Sequence, residues 1–411
     1  MRYRPVKVVI AAALAACFSV CSYSLEIELP RSGITASELA LVVNELDPLS
    51  EKIADYYQQQ RGIPEANIIR VAFTPGKRVL SALEFARVKG DVDAATPANI
   101  QAYVLAWTLP ERVDCMSVTS AFALGFDQSW CAQGCQTTRE SPYFNSSSTR
   151  PWTDYGIRPA ILLAAEDFKE AKKLIDRGVR SDGRLPRGNV YLLETSDKNR
   201  SVRSQFFPAV QQMLGNRLAV HWEQADSIKG KSNILFYFTG LRQVPDIASN
   251  HYLPGAMADH LTSAGGNLTG SAQMSALRWL EAGATGSYGT VVEPCNFTTK
   301  FPHPVVAIFH YLQGNTMLEA YWKSVAMPGQ GVFIGEPLAQ PFRGYSLRRL
   351  PRGWMLVSPV LNVGTYQVET AADRNGPYRM LYAAVPVLPM QPGIMLSAPL
   401  AQYYRIKRVG Q

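Results

Sequence analysis

The chain has 411 residues, of which 47% are hydrophobic and 18% charged, with a formal net charge of +8. That length accommodates one large domain plus a small one, and the composition excludes a disordered or fibrous chain. Lys and Arg are scattered, which argues against a nucleic-acid surface, and no stretch beyond the N-terminal leader reaches the roughly 18 apolar residues of a membrane-spanning helix.

Residues 1–24 read as an export signal. Arg2, Arg4 and Lys7 precede the apolar run Val8–Ala16, which is too short to span a bilayer. Two ends of this leader stay open. Leu14-Ala15-Ala16-Cys17 matches a lipobox, in which Cys17 is lipidated; alternatively, cleavage falls near Ser24, with small residues at Ser22 and Ser24. Losing the three leader cations leaves 8 − 3 = +5. Beyond Cys17 and Cys21 the cysteines are Cys115, Cys131, Cys135 and Cys295. In an exported chain an even set points to disulfides, with the pairing open. No His stands at ligand spacing from them, so neither a metal nor any other cofactor is expected.

The next elements alternate strand and helix. Leu39–Val43 reads as a buried strand. Asp47 caps a helix over Leu49–Gln60, with Pro48 in its first turn and Gly62 and Pro64 at its end. Strand Ile68–Phe73, helix Ser81–Gly90 and strand Gln101–Trp107 follow. The aperiodic segment Pro110–Pro159 holds three of the four remaining cysteines and reads as a stapled loop over one end of the sheet. The rhythm resumes with strand Ala160–Ala164 and helix Asp167–Arg177, which Gly178 should cap. Strand Asn189–Glu194, helix Ser201–Leu214, and strands Leu218–Trp222 and Ile234–Phe238 come next. Helix Ser271–Ala282 and strand Gly286–Val292 precede helices around Val305–Gln313 and Met317–Val325 and a short strand at Val332–Ile334. The expected fold is α/β over 33–343, a mainly parallel sheet with helices on both faces. Residues 344–411 have short β-rich runs separated by turns and read as a small antiparallel β-sandwich.

Candidate chemistry concentrates in Tyr252–Pro294. If Asp259-His260-Leu261-Thr262-Ser263 opens a helix, His260 and Ser263 share a face, and an imidazole beside a hydroxyl can serve as general base and nucleophile. The adjacent Asp259 would point elsewhere, and the alternative is a structural hydrogen bond for His260. Gly265 and Gly266 could present N–H groups to an oxyanion, with Thr262 as a ligand-binding hydroxyl. Glu293 lies where a strand should end, the edge at which open α/β sheets bind ligands. The glycine-rich Gly283–Thr290 lacks the Lys and spacing of a phosphate loop.

These residues resemble an uncharacterised family of exported bacterial proteins. The pattern comprises Asn44, Asp47, Pro48 and Ser50; Tyr57, Arg61, Ile63, Pro64 and Asn67; Ile175-Asp176-Arg177-Gly178; Gly255-Ala256 with Asp259–Ser263; Gly283-Ala284-Thr285; Glu293-Pro294; Glu319-Ala320; and Gly335-Glu336-Pro337-Leu338. The resemblance implies export and no assigned activity. More distantly, the layout looks like gingipain and caspase-like cysteine peptidases, which carry a His-Gly after one central strand and a Cys after the next. Here Ile234–Phe238 leads into Thr239-Gly240, and the following loop has no Cys. The expected role is therefore a periplasmic, surface or envelope-associated binding protein for a peptide, glycan or envelope component. The alternative is a peptidase-type hydrolase with a non-standard site at His260. No nucleic-acid partner is expected, and membrane contact only through a lipid on Cys17.

Overall fold

A computed structural model describes residues 25–410 apart from Gln133, Asn216 and Met390. The leader and Cys17 lie outside the described residues. Ten strands build the central sheet: β1 (Leu39–Asn44), β2 (Ile68–Val71), β3 (Ala102–Leu105), β4 (Ala160–Leu162), β5 (Asn189–Glu194), β6 (Ala219–Gln224), β7 (Ile234–Thr239), β8 (Tyr252–His260), β9 (Gly286–Thr290) and β10 (Gly331–Gly335). Their order is β6-β5-β7-β8-β9-β10-β4-β3-β1-β2. The first four strands form one parallel group, and β5 to β9 form another. β10 joins the groups: it runs antiparallel to β9 and meets β4 through the pair Ile334–Leu162. Each group is wound alike, with its second strand outside the first and its third and fourth inside. Every residue of β1 and of β7 is buried. Successive side chains point to opposite faces, so these strands are covered on both.

Nine helices cover the sheet among the described residues: α1 (Pro48–Arg61), α2 (Ala82–Ala95), α3 (Val118–Leu124), α4 (Pro151–Tyr155), α5 (Phe168–Ser181), α6 (Phe207–Leu214), α7 (Leu277–Ala282), α8 (Pro304–Leu312) and α9 (Met317–Trp322). Local chemistry sets their starts. Asp47 Oδ1 accepts from the Leu49 N–H (2.9 Å), and Ser81 with Glu84 and Thr316 with Glu319 close capping boxes on α2 and α9. Two expectations are corrected. Gly178 does not cap α5, which continues to Ser181. It is small because the buried Glu336 side chain lies where its Cβ would stand. That carboxylate accepts from Tyr57 Oη (2.9 Å) and from Arg61 Nε (2.9 Å) and Nη2 (2.5 Å), and Arg61 also pairs with Asp182. That carboxylate thus fastens α1 to the end of β10, and Arg61 carries the link on to Asp182 at the end of α5. The helix expected over Ser271–Ala282 shrinks to the six residues of α7. Upstream of it, the Ser271 and Ser275 hydroxyls accept from the N–H groups of Gln273 and Leu277, competing with a helical ladder.

Residues beyond Phe342 form two small sheets. One comprises Ser346–Leu350, Gly353–Val357 and Ile394–Ser397; the other comprises Gly364–Ala371, Arg379–Val387 and Tyr403–Arg408. These pairings are antiparallel. The N-terminal strand Glu26–Glu28 adds to the second sheet, parallel to Tyr403–Arg408. Both sheets share a buried cluster that includes Ile27, Leu356, Val368, Leu396 and Ile406. Two disulfides, Cys115–Cys131 and Cys135–Cys295, staple the irregular 110–159 segment. The second ties it to the loop after β9. Among the described residues no helix is long and apolar enough to cross a membrane.

Candidate functional site

Asp259 and His260 end a strand rather than opening a helix. Neighbours on a strand face opposite sides of the sheet, so the two side chains diverge. Asp259 is buried and pairs with the equally buried Arg203, Nη1 to Oδ1 at 2.6 Å. Burial raises the Asp259 carboxyl above its ordinary range, against the lowering effect of Arg203. Arg203 also donates to the carbonyls of Thr239 (2.7 Å) and Pro302 (3.2 Å).

On the other side His260 is just as buried, and both ring nitrogens are engaged. The Trp279 indole N–H donates to Nδ1 (2.9 Å). An indole can only donate, so Nδ1 is the acceptor and Nε2 carries the proton, which it gives to the Met274 carbonyl (3.1 Å). Burial pushes the imidazole pKa down to about 3, so the ring is neutral at physiological pH. No lone pair is left to take a proton from a nucleophile. The helix-face pairing of His260 with Ser263 falls with the helix, and among the described residues no hydrogen bond joins them.

The remaining candidates are built into the same wall. Thr262 Oγ1 donates to Gln273 Oε1 (2.6 Å) and accepts from Arg200 Nε (3.1 Å). The Thr262 and Ser263 carbonyls both accept from Thr290 Oγ1 (3.1 Å each). The Gly266 N–H donates to the Thr290 carbonyl (2.9 Å), and the Gly265 carbonyl accepts from Ala276 N–H (2.7 Å). Gly266 has no spare N–H for an oxyanion; glycine is needed there because a Cβ would press on the β9 backbone. Glu293 is exposed and accepts from the Cys295 N–H (2.7 Å), making a turn beside the disulfide. Cys115, Cys131, Cys135 and Cys295 are all spent in disulfides, so none is a thiol nucleophile.

In a sheet wound this way, ligands bind where the chain reverses its winding direction, at the C-terminal ends of the first and third strands of a group. The two groups treat that position differently. After β5 and β7 the crevice is filled. Thr195 Oγ1 donates to the Gly240 carbonyl (2.5 Å), and any Cβ at Gly240 would collide with the Arg200 backbone. Arg203 occupies the space beneath. After β1 and β3 a cavity of about 660 Å³ remains. Residues following six strands line it: Asp47 after β1, Pro75 after β2, Thr108 after β3, Ala165 after β4, Gln243 after β7, and Leu268–Ser275 after β8. Sequence reasoning named Asp47 only as a helix cap and missed Arg203 altogether. A buried acid demands a cation, but nothing in the sequence says which of 41 Lys and Arg answers.

No family model and no curated protein matches the chain. A solved structure described as "Structure of Protease" aligns with a TM-score of 0.38 and 10% identity, covering 89% of this chain and 92% of that one. At that TM-score the likeness carries no argument about fold or activity.

Proposed function

We propose that this is an exported bacterial binding protein, periplasmic or at the cell surface, that takes a peptide, glycan or envelope fragment in the cavity at the C-terminal strand ends. The observation that carries this reading is the double engagement of His260, which leaves the strongest candidate base without a free nitrogen. Its hydrogen bonds fix the loop Leu261–Ala276, and that loop is one wall of the cavity. The two disulfides fit an exported protein. A caspase- or gingipain-like layout without the His-Cys pair belongs to the same proposal, as do the division at 343 and a lipid anchor on Cys17.

Two measurements test it together. A fluorophosphonate probe and a peptidyl electrophile should leave the protein unlabelled. A thermal-shift screen of peptides, oligosaccharides and envelope fragments should find a ligand that raises Tm. Labelling of Ser263, with its loss in His260→Gln, would establish the hydrolase instead.

A further inference from the structure

A second, larger recess lies between the α/β body and the C-terminal sheets, with a volume of about 1050 Å³. Its charge is one-sided. Arg31, Arg150, Lys407 and Arg408 line it against a single lining carboxylate, Asp154. Two of the cations are already matched: Arg31 by Glu38 (2.6 Å) and Lys407 by Glu369 (3.0 Å). Among the described residues, Arg150 and Arg408 have no carboxylate within salt-bridge distance, and Arg408 Nη2 donates only to the Val363 carbonyl (3.2 Å). His310, also in the wall, adds no charge, because burial pushes its pKa down to about 3. The recess therefore presents a positive field that the protein does not neutralise.

An apolar ring lines the same recess as these cations. Phe309 on α8 is 44% exposed although it lies on a helix otherwise packed into the core. Gln313, whose N–H donates to the Phe309 carbonyl (3.1 Å), and Asn362 line the same recess. An exposed aromatic residue in one recess with amide and guanidinium side chains is a combination suited to an acidic sugar chain. A sugar ring's C–H face covers the aromatic, its hydroxyls meet the amides, and a carboxylate substituent meets an arginine fork. An acidic peptide would use the arginines and leave Phe309 without a role.

We propose that this recess binds an acidic oligosaccharide, a chain of carboxylated sugars, with Arg150 and Arg408 holding carboxylates and Phe309 stacking on a sugar ring. The site draws on both the α/β body and the C-terminal sheets, which gives the appended sheets a function. It is separate from the cavity at the strand ends, and either can fail without the other.

The test uses the full mature chain in calorimetric titrations. The probes are oligogalacturonate, a neutral oligoglucose of equal length, and poly-glutamate. Oligogalacturonate should bind, the neutral chain should bind more weakly, and affinity should fall steeply toward 1 M salt, where the screening length is about 3 Å. Phe309→Ala should lower affinity for oligogalacturonate about tenfold with only a small loss of Tm, because the residue is 44% exposed. Arg150→Gln with Arg408→Gln should lower it at least about tenfold and flatten its salt dependence. Thr269→Trp, in the other cavity, should leave it unchanged. Absence of oligogalacturonate binding overturns the proposal. So does poly-glutamate binding as tightly while Phe309→Ala changes nothing, which would make the recess a site for acidic peptide.

Discussion

The two parallel groups of the sheet are wound in the same order, yet one keeps its switch-point crevice open and the other fills it. In the first group, the turns after β1 and β3, through Asp47 and Thr108, leave room, and Asp47 spends its carboxylate on capping α1. In the second, the chain after β5 folds back so that the Arg200 backbone lies against Gly240 and Arg203 reaches Asp259. The same topology therefore offers two candidate sites, and side-chain volume and charge decide which survives. The filled one is the place where the caspase-like layout proposed above would carry its reacting groups. Here it holds a buried ion pair, whose formation must offset the desolvation of both partners.

The largest expected effect breaks the filled side. Arg203→Ala leaves Asp259 buried without its cation and should cost about 3–5 kcal/mol in urea unfolding. Replacing both partners, Arg203→Met with Asp259→Leu, should recover most of that loss. A single-variant cost below about 1 kcal/mol would mean that the pair is not what holds the plug.

Next is His260, whose two hydrogen bonds hold the loop that walls the open crevice. His260→Phe keeps an aromatic ring, slightly larger, but strands the Trp279 N–H and the Met274 carbonyl, and should cost about 2–4 kcal/mol. It should also change the acid limb. The folded imidazole has a pKa of about 3, whereas an unfolded one titrates near 6.5. As pH falls below about 6.5 the unfolded chain binds a proton that the folded chain refuses. Stability contributed by the neutral ring is therefore complete above about 6.5 and lost progressively toward 3, on the order of 1 kcal/mol per pH unit. His310, also held near 3, adds a like slope. His260→Phe should remove one share and leave the other, read from unfolding curves at pH 4 to 7; an unchanged slope would contradict the burial argument.

The smallest effect on stability sharpens the open side. Thr269 is an exposed residue in the cavity wall. Thr269→Trp should move stability by no more than about 0.5 kcal/mol while abolishing the thermal shift given by a cavity ligand. A shift that survives would place the ligand elsewhere.

Much of the scaffold was legible in the chain. Short apolar runs bounded by turns located nine of the ten strands of the sheet to within a few residues, and Asp47 was read correctly as a cap. These are local matters, set by side-chain periodicity and by the hydrogen bonds a residue offers its own backbone. The site was less legible. The spacing of His260 and Ser263 speaks for a shared face only on a helix, and the element there is a strand, where Asp259 and His260 part to opposite faces. Gly178 looked like a cap because a cap and a close approach both select glycine.

By itself the sequence determined the alternation of strands and helices, the β-rich character of the segment beyond residue 343, and the set of cysteines available for bridging. Periodicity and composition carry those, since each depends on neighbours along the chain. Only the tertiary structure decided that Cys115 meets Cys131 and Cys135 meets Cys295, that Arg203 is the cation for Asp259, and that His260 is closed off by Trp279 and Met274. Those partners stand 16, 160, 56, 19 and 14 residues apart. Whether a buried polar group is free to act or is fully bonded depends on what the fold brings against it from such distances, and no local pattern encodes that.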